Sequence, residues 1–281
     1  MSLTAPVNRI IPFSNVDGPG NRTAVFFQGC PFNCLFCHNP ETIRLCCGCG
    51  ACVGHCPAGA LAFGDAGQVV WDSAKCVQCD TCIKVCPHLS SPKVRQMTVE
   101  DVLAEIHRSA PYIEGITTSG GECTLQNEFL IALFTEVHKM GKTCLIDSNG
   151  SFDFSADPRV LQVSEGVMLD VKAVERDWSD RLVSHPQDTV LKNLKWLLSV
   201  GKLYEVRTLI FPNRDRENEA TVRYVSEQIR DGCFYKLIRY RPYGVRECGQ
   251  ALLGDSETDP DYAERFVRLA RSLGAAKAYV V

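Results

Sequence analysis

A chain of 281 residues, 45% of them hydrophobic, is long enough for one large domain or two modest ones and apolar enough for a sizeable core. A net charge of −3 argues against nucleic acid as a partner, and no apolar run approaches the roughly 20 residues of a membrane helix. The N-terminus lacks a signal-peptide hydrophobic region, so a cytoplasmic protein is expected; there, sixteen cysteines mean metal or redox work and not disulfides.

In chain order, Val16-Asp17-Gly18-Pro19-Gly20-Asn21-Arg22 is turn-rich and leads into a buried strand, Thr23–Phe27. Cys30-x3-Cys34-x2-Cys37 follows, a loop too tight for a disulfide framework but suited to one iron–sulfur cluster. Cubane clusters are normally held by four thiolates, so three leave one iron open, as open catalytic zinc sites differ from closed structural ones. A zinc knuckle is the competing reading, and it lacks a fourth ligand at zinc spacing.

Residues 42–92 differ in character. Cys46-x2-Cys49-x2-Cys52-x3-Cys56-Pro57 is followed by Cys76-x2-Cys79-x2-Cys82-x3-Cys86-Pro87, and each run matches the bacterial two-cluster ferredoxin pattern. In that pattern the fourth cysteine of a run ligates the other cluster. One [4Fe–4S] cluster is then expected on Cys46, Cys49, Cys52 and Cys86, and a second on Cys76, Cys79, Cys82 and Cys56. Cys47 falls outside the pattern and is expected to be a packed thiol.

From Met97 onward helix and strand alternate. Thr98-Val-Glu-Asp101 resembles a capping-box helix start, Gly115–Ser119 is a strand ending in Gly120-Gly121-Glu122, and Phe129, Leu130, Leu133, Phe134, Val137 and Met140 share a helix face. Strands at 142–147 and 166–170 end in Asp147-Ser148-Asn149 and Asp170-Val171-Lys172. A helix through Leu191–Leu198, strand 203–211, helix 217–230, strand 234–241, helix 260–273 and a strand near 276–281 complete the chain. Repeated βα units imply a parallel sheet with helices outside it, and active residues at the C-terminal strand ends. The expected architecture is α/β: a partial TIM-type (β/α)6 barrel from 1–41 and 93–281, with an inserted α+β ferredoxin-like domain at 42–92.

The Cys30/Cys34/Cys37 spacing, with Phe36 before the last cysteine, resembles the signature of the radical S-adenosylmethionine (SAM) enzymes. The longer run from Val16 through Cys37-His38-Asn39 resembles the opening of the glycyl radical enzyme activating enzymes, a branch of that family. Within the subset that carries a ferredoxin insert, the chain most resembles the YjjW-like activases. The resemblance implies SAM chelated at the open iron, with Gly120, Gly121 and Glu122 meeting its amino group. It also implies Lys172 in contact with SAM or supporting the radical step. Asp147 and Asp170, with main-chain oxygens near Ser148 and Met168, match positions for a monovalent cation. Arg207 could reach SAM or be a satisfied barrel arginine, and His38 could hydrogen-bond the cluster. Two departures stand out. Cys123 replaces the usual proline after the glutamate, and Arg241-Pro242-Tyr243-Gly244 lacks the histidine that related activases place against adenine.

The expected function is that of a glycyl radical enzyme activase. SAM is cleaved to methionine and a 5′-deoxyadenosyl radical, which abstracts hydrogen from a glycine of a partner protein, with flavodoxin or ferredoxin as reductant. The chain carries no Arg-Val-x-Gly-Tyr glycine loop of its own, so the partner must be a separate polypeptide. A radical SAM reaction on a small molecule or peptide is the alternative, and an electron carrier fused to an inert barrel is a third.

Overall fold

The structure, a computed structural model, describes residues 3–281. Strands β1 (Thr4–Ser14) and β2 (Arg22–Phe27) pair antiparallel, and the cysteine loop leads from β2 into a segment of short elements. That segment holds the hairpin of β3 (Leu61–Phe63) and β4 (Val69–Trp71) and the one-turn helix α1 (Thr81–Lys84). Its ends meet: Arg44 N–H donates to Leu89 O at 3.0 Å, and Arg44 bridges Ser90. With entry and exit side by side, the neighbouring strands need not part to accommodate it.

The remaining elements are β5 (Arg95–Thr98), α2 (Val99–Ser109), β6 (Gly115–Gly120), α3 (Asn127–Lys139), β7 (Thr143–Ser148), α4 (Arg159–Gln162) and β8 (Gly166–Asp170). They continue as α5 (Arg176–Val183), α6 (Asp188–Ser199), β9 (Leu203–Ile210), α7 (Asp215–Ile229), β10 (Phe234–Arg239), α8 (Glu247–Leu253), α9 (Pro260–Ser272) and β11 (Ala278–Val280). The main sheet runs β11-β10-β9-β8-β7-β6-β2-β1-β5, parallel from β11 to β2 and antiparallel beyond. Among the described residues its two edges, β11 and β5, do not pair, so the sheet is open. It also curls: the turn around Asn15–Pro19 and residues of β10 and β11 face one cavity from opposite ends of the strand order.

The parallel strands fall where apolar runs mark them, because a strand covered on both faces must be apolar throughout. In β2 every residue but Phe26 is buried. Helix α2 opens with the reciprocal box: Asp101 N–H donates to Thr98 Oγ1 (3.2 Å) and Thr98 N–H to Asp101 Oδ2 (2.9 Å), worth about 1 kcal/mol. The α3 face is buried as expected.

Strand β1 corrects the reading of residues 1–29 as a mere lead-in. Pro6 and Pro12 argue against a strand, yet Pro6 keeps register with Gln96 of β5 while its carbonyl accepts from Gln28 N–H, and Pro12 falls in the register shift between Ile11 and Ser14. Helices α5 and α8 also escaped the sequence reading. Arg22 lies fully buried inside the curl, donating to Thr117 Oγ1 (2.9 Å), Thr143 Oγ1 (3.0 Å) and Ile116 O (2.6 Å). Burial lowers the pKa of this guanidinium from its ordinary value.

Candidate active site

The loop after β2 is held from three sides. Gly29 and Cys30 N–H donate to Thr42 O (2.8 Å) and Ile43 O (2.9 Å). Asn33 and Leu35 N–H donate to Val183 O (3.1 Å) and Leu182 O (2.9 Å) at the end of α5. Arg246, at the N-terminus of α8, donates to Cys34 O at 2.9 Å, and a Cβ on Gly249 would strike Leu35 O. Helices α5 and α8, both absent from the sequence reading, are thus the clamp on the cysteine loop.

The loop brings Cys30, Cys34 and Cys37 together. Burial pushes the Cys30 and Cys34 thiols up to about 12; Glu122 adds to the rise at Cys30, and at Cys34 Lys172 pulls against it while Cys37 adds to it. Three converging thiols with an ammonium beside them suit a cationic iron–sulfur group that takes them as thiolates. Phe36 is buried against Phe211, ring centroids 5.4 Å apart, and the Lys172 ammonium sits 5.4 Å over its ring. His38 does not reach a sulfur: its Nε2 lies 2.9 Å from Arg241 O, tying the loop to the end of β10.

Glu122 is 1% exposed, and its carboxylate takes four donors from within the protein. It accepts from Thr124 Oγ1 (2.6 Å), Thr124 N–H (3.2 Å), Ser148 Oγ (3.0 Å) and Asn149 N–H (2.7 Å). Burial raises its pKa against the pull of these bonds. Gly120 and Gly121 are required here by packing on β2. Gly120 has φ +120 and its Cβ would strike the Phe27 backbone, while that of Gly121 would strike Gly29 O. Asn149, absent from the sequence-based set, donates through Nδ2 to Cys30 Sγ at 3.4 Å. Cys123 is wholly buried behind the strand ends.

At the ends of β7, β8 and β9 the acidic candidates are all paired. Asp147 accepts from Ser119 Oγ (3.0 Å) and Arg207 Nη1 (2.9 Å); burial raises its carboxyl pKa and Arg207 pulls against that. Arg207 also donates to Glu205 (2.7 Å) and Met168 Sδ (3.0 Å), and Tyr279 OH closes the network on Glu205 at 2.7 Å. Lys172 donates to Asp170 at 2.6 Å; burial works against its ammonium, but Asp170 and Cys34 outweigh it and the pKa is raised. Val171 contributes backbone only, its N–H to Arg207 O and its carbonyl to Thr208 Oγ1, both at 2.9 Å. Arg207 is therefore a satisfied interior arginine.

In the 42–92 segment one small cavity is lined by Cys46, Cys49, Cys52 and Cys86, and another by Cys56, Cys76, Cys79 and Cys82. Cys47 is exposed at the rim of the first and is not a packed thiol. Inside the curl a cavity of about 1040 Å³ extends from His38 past Glu205, Lys236, Arg239 and Arg241 to Tyr279.

Residues 24–225 match the model of the radical SAM superfamily. The chain is 29% identical over 268 residues to a putative glycyl-radical enzyme activating enzyme of Haemophilus influenzae, covering 87% of this chain and 85% of that protein. It is 33% identical over 268 residues to the indoleacetate decarboxylase activating enzyme of Tractidigestivibacter scatoligenes, covering 86% and 84%. In fold it is similar to a radical SAM methyltransferase from Sphaerobacter thermophilus, with a TM-score of 0.54 at 14% identity over 100% of this chain and 77% of the other. The chain belongs to the radical SAM superfamily and, within it, to the glycyl radical enzyme activating enzymes.

Proposed function

We propose that this protein installs a glycyl radical on a partner enzyme, using SAM and a [4Fe–4S] cluster held by Cys30, Cys34 and Cys37. The grouping of these three thiols on one loop, Cys34 interacting with both Cys30 and Cys37 and Lys172 acting on all three, is the observation that carries the reading. Bound there, the cluster supplies the electron that cleaves SAM to methionine and a 5′-deoxyadenosyl radical, which becomes 5′-deoxyadenosine on taking a hydrogen atom from the partner's glycine.

The chain's own residues do the positioning. The α5 and α8 clamp fixes the cysteine loop, and Glu122 locks the Gly120-Gly121 turn to Ser148-Asn149. Because Glu122 Oε1 already takes three donors and Oε2 one, recognition of the SAM ammonium falls to backbone carbonyls of the Gly120–Glu122 turn together with the remaining acceptor site on Oε2. The monovalent cation expected beside Asp147 and Asp170 would have to compete with Arg207 and Lys172 for those carboxylates. The large cavity, open along the edge of the curl, offers room for the adenosyl group and for an inserted segment of the partner.

The inserted segment adds a second proposal, that it is ferredoxin-like. Its two cavities, each lined by the four cysteines of one set, support one [4Fe–4S] cluster each, three in all with the SAM cluster, passing electrons from a flavodoxin or ferredoxin in the cytoplasm. The test is anaerobic: load the clusters, reduce with dithionite, add SAM, and quantify 5′-deoxyadenosine, with Cys34→Ala as control. A candidate partner is then added and its glycyl radical sought by electron paramagnetic resonance. Product from the intact protein alone, with a radical on the partner, is expected. No product with or without partner, from fully loaded and reduced protein, overturns the reading.

A further inference from the structure

At the opposite end of β7 from the cysteine loop, three metal-ligating side chains meet from three elements. His138 stands in the last turn of α3, Cys144 is the second residue of β7, and Glu165 directly precedes β8. The turn at Gly141, with φ +69, folds β7 back beneath α3, so Cys144 Sγ faces the helix, 4.0 Å from Phe134 O. Glu165 is fixed to the strand twice: its N–H donates to Cys144 O at 2.9 Å, and its carboxylate accepts from Cys144 N–H. The other carboxylate oxygen lies 3.2 Å from His138 Nε2. One sulfur, one imidazole nitrogen and one carboxylate oxygen thus lie within 4.8 Å of one another.

A second observation points to a ligand. His138 Nε2 is shielded from solvent, yet among the described residues it makes no hydrogen bond of acceptable geometry, even with Glu165 close by. The imidazole and the carboxylate face each other without an aligned hydrogen bond, and a cation shared between them would satisfy both. Sulfur, imidazole and carboxylate are a donor set for zinc, and three protein ligands with one open position make a complete zinc coordination pattern. His138 and Glu165 are half-buried and exposed, which leaves a solvent route for the ion, while Cys144 is wholly buried.

We infer that His138, Cys144 and Glu165 form a binding site for one divalent, zinc-like cation, separate from every cluster cysteine and pinning α3 to β7 and the approach to β8. Binding takes the Cys144 sulfur as a thiolate and replaces the direct His138–Glu165 contact, so uptake releases a proton and strengthens with rising pH.

The experiment uses the protein with its iron–sulfur clusters loaded, so that zinc cannot enter the cluster cysteines. Zinc is added anaerobically, weakly held metal is removed with a mild chelator on a desalting column, and zinc and iron are counted. X-ray absorption at the zinc edge then reads the ligands. The expected result is about one retained zinc per chain, with a single sulfur at about 2.3 Å and the remaining ligands nitrogen or oxygen. His138→Gln, at a half-buried position, should weaken retention by on the order of ten-fold or more in protein whose iron content and thermal unfolding match wild type, and Glu165→Gln should do likewise. Failure to retain zinc overturns the proposal. So does zinc surrounded by several sulfurs, or retention that His138→Gln leaves unchanged.

Discussion

Asn149 Nδ2 donates to Cys30 Sγ at 3.4 Å, while the Asn149 N–H is fixed by the buried Glu122 carboxylate at 2.7 Å. The side-chain oxygen is used as well, accepting from Ser151 N–H at 2.9 Å, so the amide can present only its NH2 to the sulfur. A donor aimed at a ligating sulfur favours the more negative, reduced form of a cluster. Asn149→Ala should therefore lower the reduction potential of the SAM cluster by tens of millivolts. Asn149→Asp, which keeps the turn and adds a charge, should lower it further. Redox titration followed by electron paramagnetic resonance reads both, and potentials equal to wild type would refute the role.

Glu122 offers a separable test of the same unit. Its carboxylate takes four donors in a site closed to solvent, so Glu122→Gln sets an amide NH2 against at least one of them. A loss of about 2–3 kcal/mol is expected, against about 1 kcal/mol for Thr124→Val, which removes the single hydroxyl bond from Thr124. Chemical denaturation of the two variants gives the comparison. Equal losses would mean that the carboxylate is not the hub.

Arg207 holds two carboxylates, Asp147 and Glu205, in the interior of the curl. Replacing it with methionine fits the space beside Met168 but strands both charges, which should cost about 3–5 kcal/mol or force the carboxyls to take up protons. Adding Asp147→Asn and Glu205→Gln to Arg207→Met should recover much of the loss. Thermal unfolding of the single and triple variants decides it.

What could be read from the sequence follows physical lines. The parallel strands, the capping box at Thr98 and the α3 face were legible because burial imposes period and composition locally. The cysteine spacings were legible because cluster geometry constrains short loops. By contrast, β1 was hidden by prolines whose consequences depend on where the register shifts, a property of the pairing and not of the strand. The clamp of α5 and α8 on the cysteine loop joins residues far apart in the chain, such as Arg246 and Cys34. Asn149 was passed over for the same reason, since an asparagine after a strand reads as a turn residue until its sulfur partner is seen. Glu122 and Arg207 stand out in the sequence, but whether such a group is spent inside the protein or free for a ligand depends on partners from other strands.

Acid sensitivity should trace in part to Asp153. It accepts from Lys192 Nζ (2.8 Å) and from Ser155 Oγ (2.7 Å), and Lys192 holds its carboxyl down at about 2 from an ordinary 3.8. The folded value lies below the unfolded one, so the stabilisation is complete above about pH 3.8 and is lost as pH falls through about 2. Both side chains are partly exposed, which keeps the effect below about 1 kcal/mol. Urea titrations of wild type and Asp153→Asn should differ at pH 6 and converge towards pH 2. A constant gap would remove Asp153 from the account.

The last prediction concerns the inserted segment. Cys79 is exposed on the cavity that it shares with Cys56, Cys76 and Cys82, and its sulfur lies 3.3 Å from Thr81 Oγ1. If this cavity carries a cluster that relays electrons, Cys79→Ala should slow SAM cleavage when a flavodoxin or ferredoxin is the donor. Dithionite, a small reductant that can reach the SAM cluster directly, should largely restore the rate. If the segment serves docking instead, the variant should cleave SAM normally with either donor but transfer the radical poorly to the partner. Measuring 5′-deoxyadenosine and the partner's glycyl radical in the same samples separates the two outcomes, and wild-type values in both would leave the segment without a part in activation.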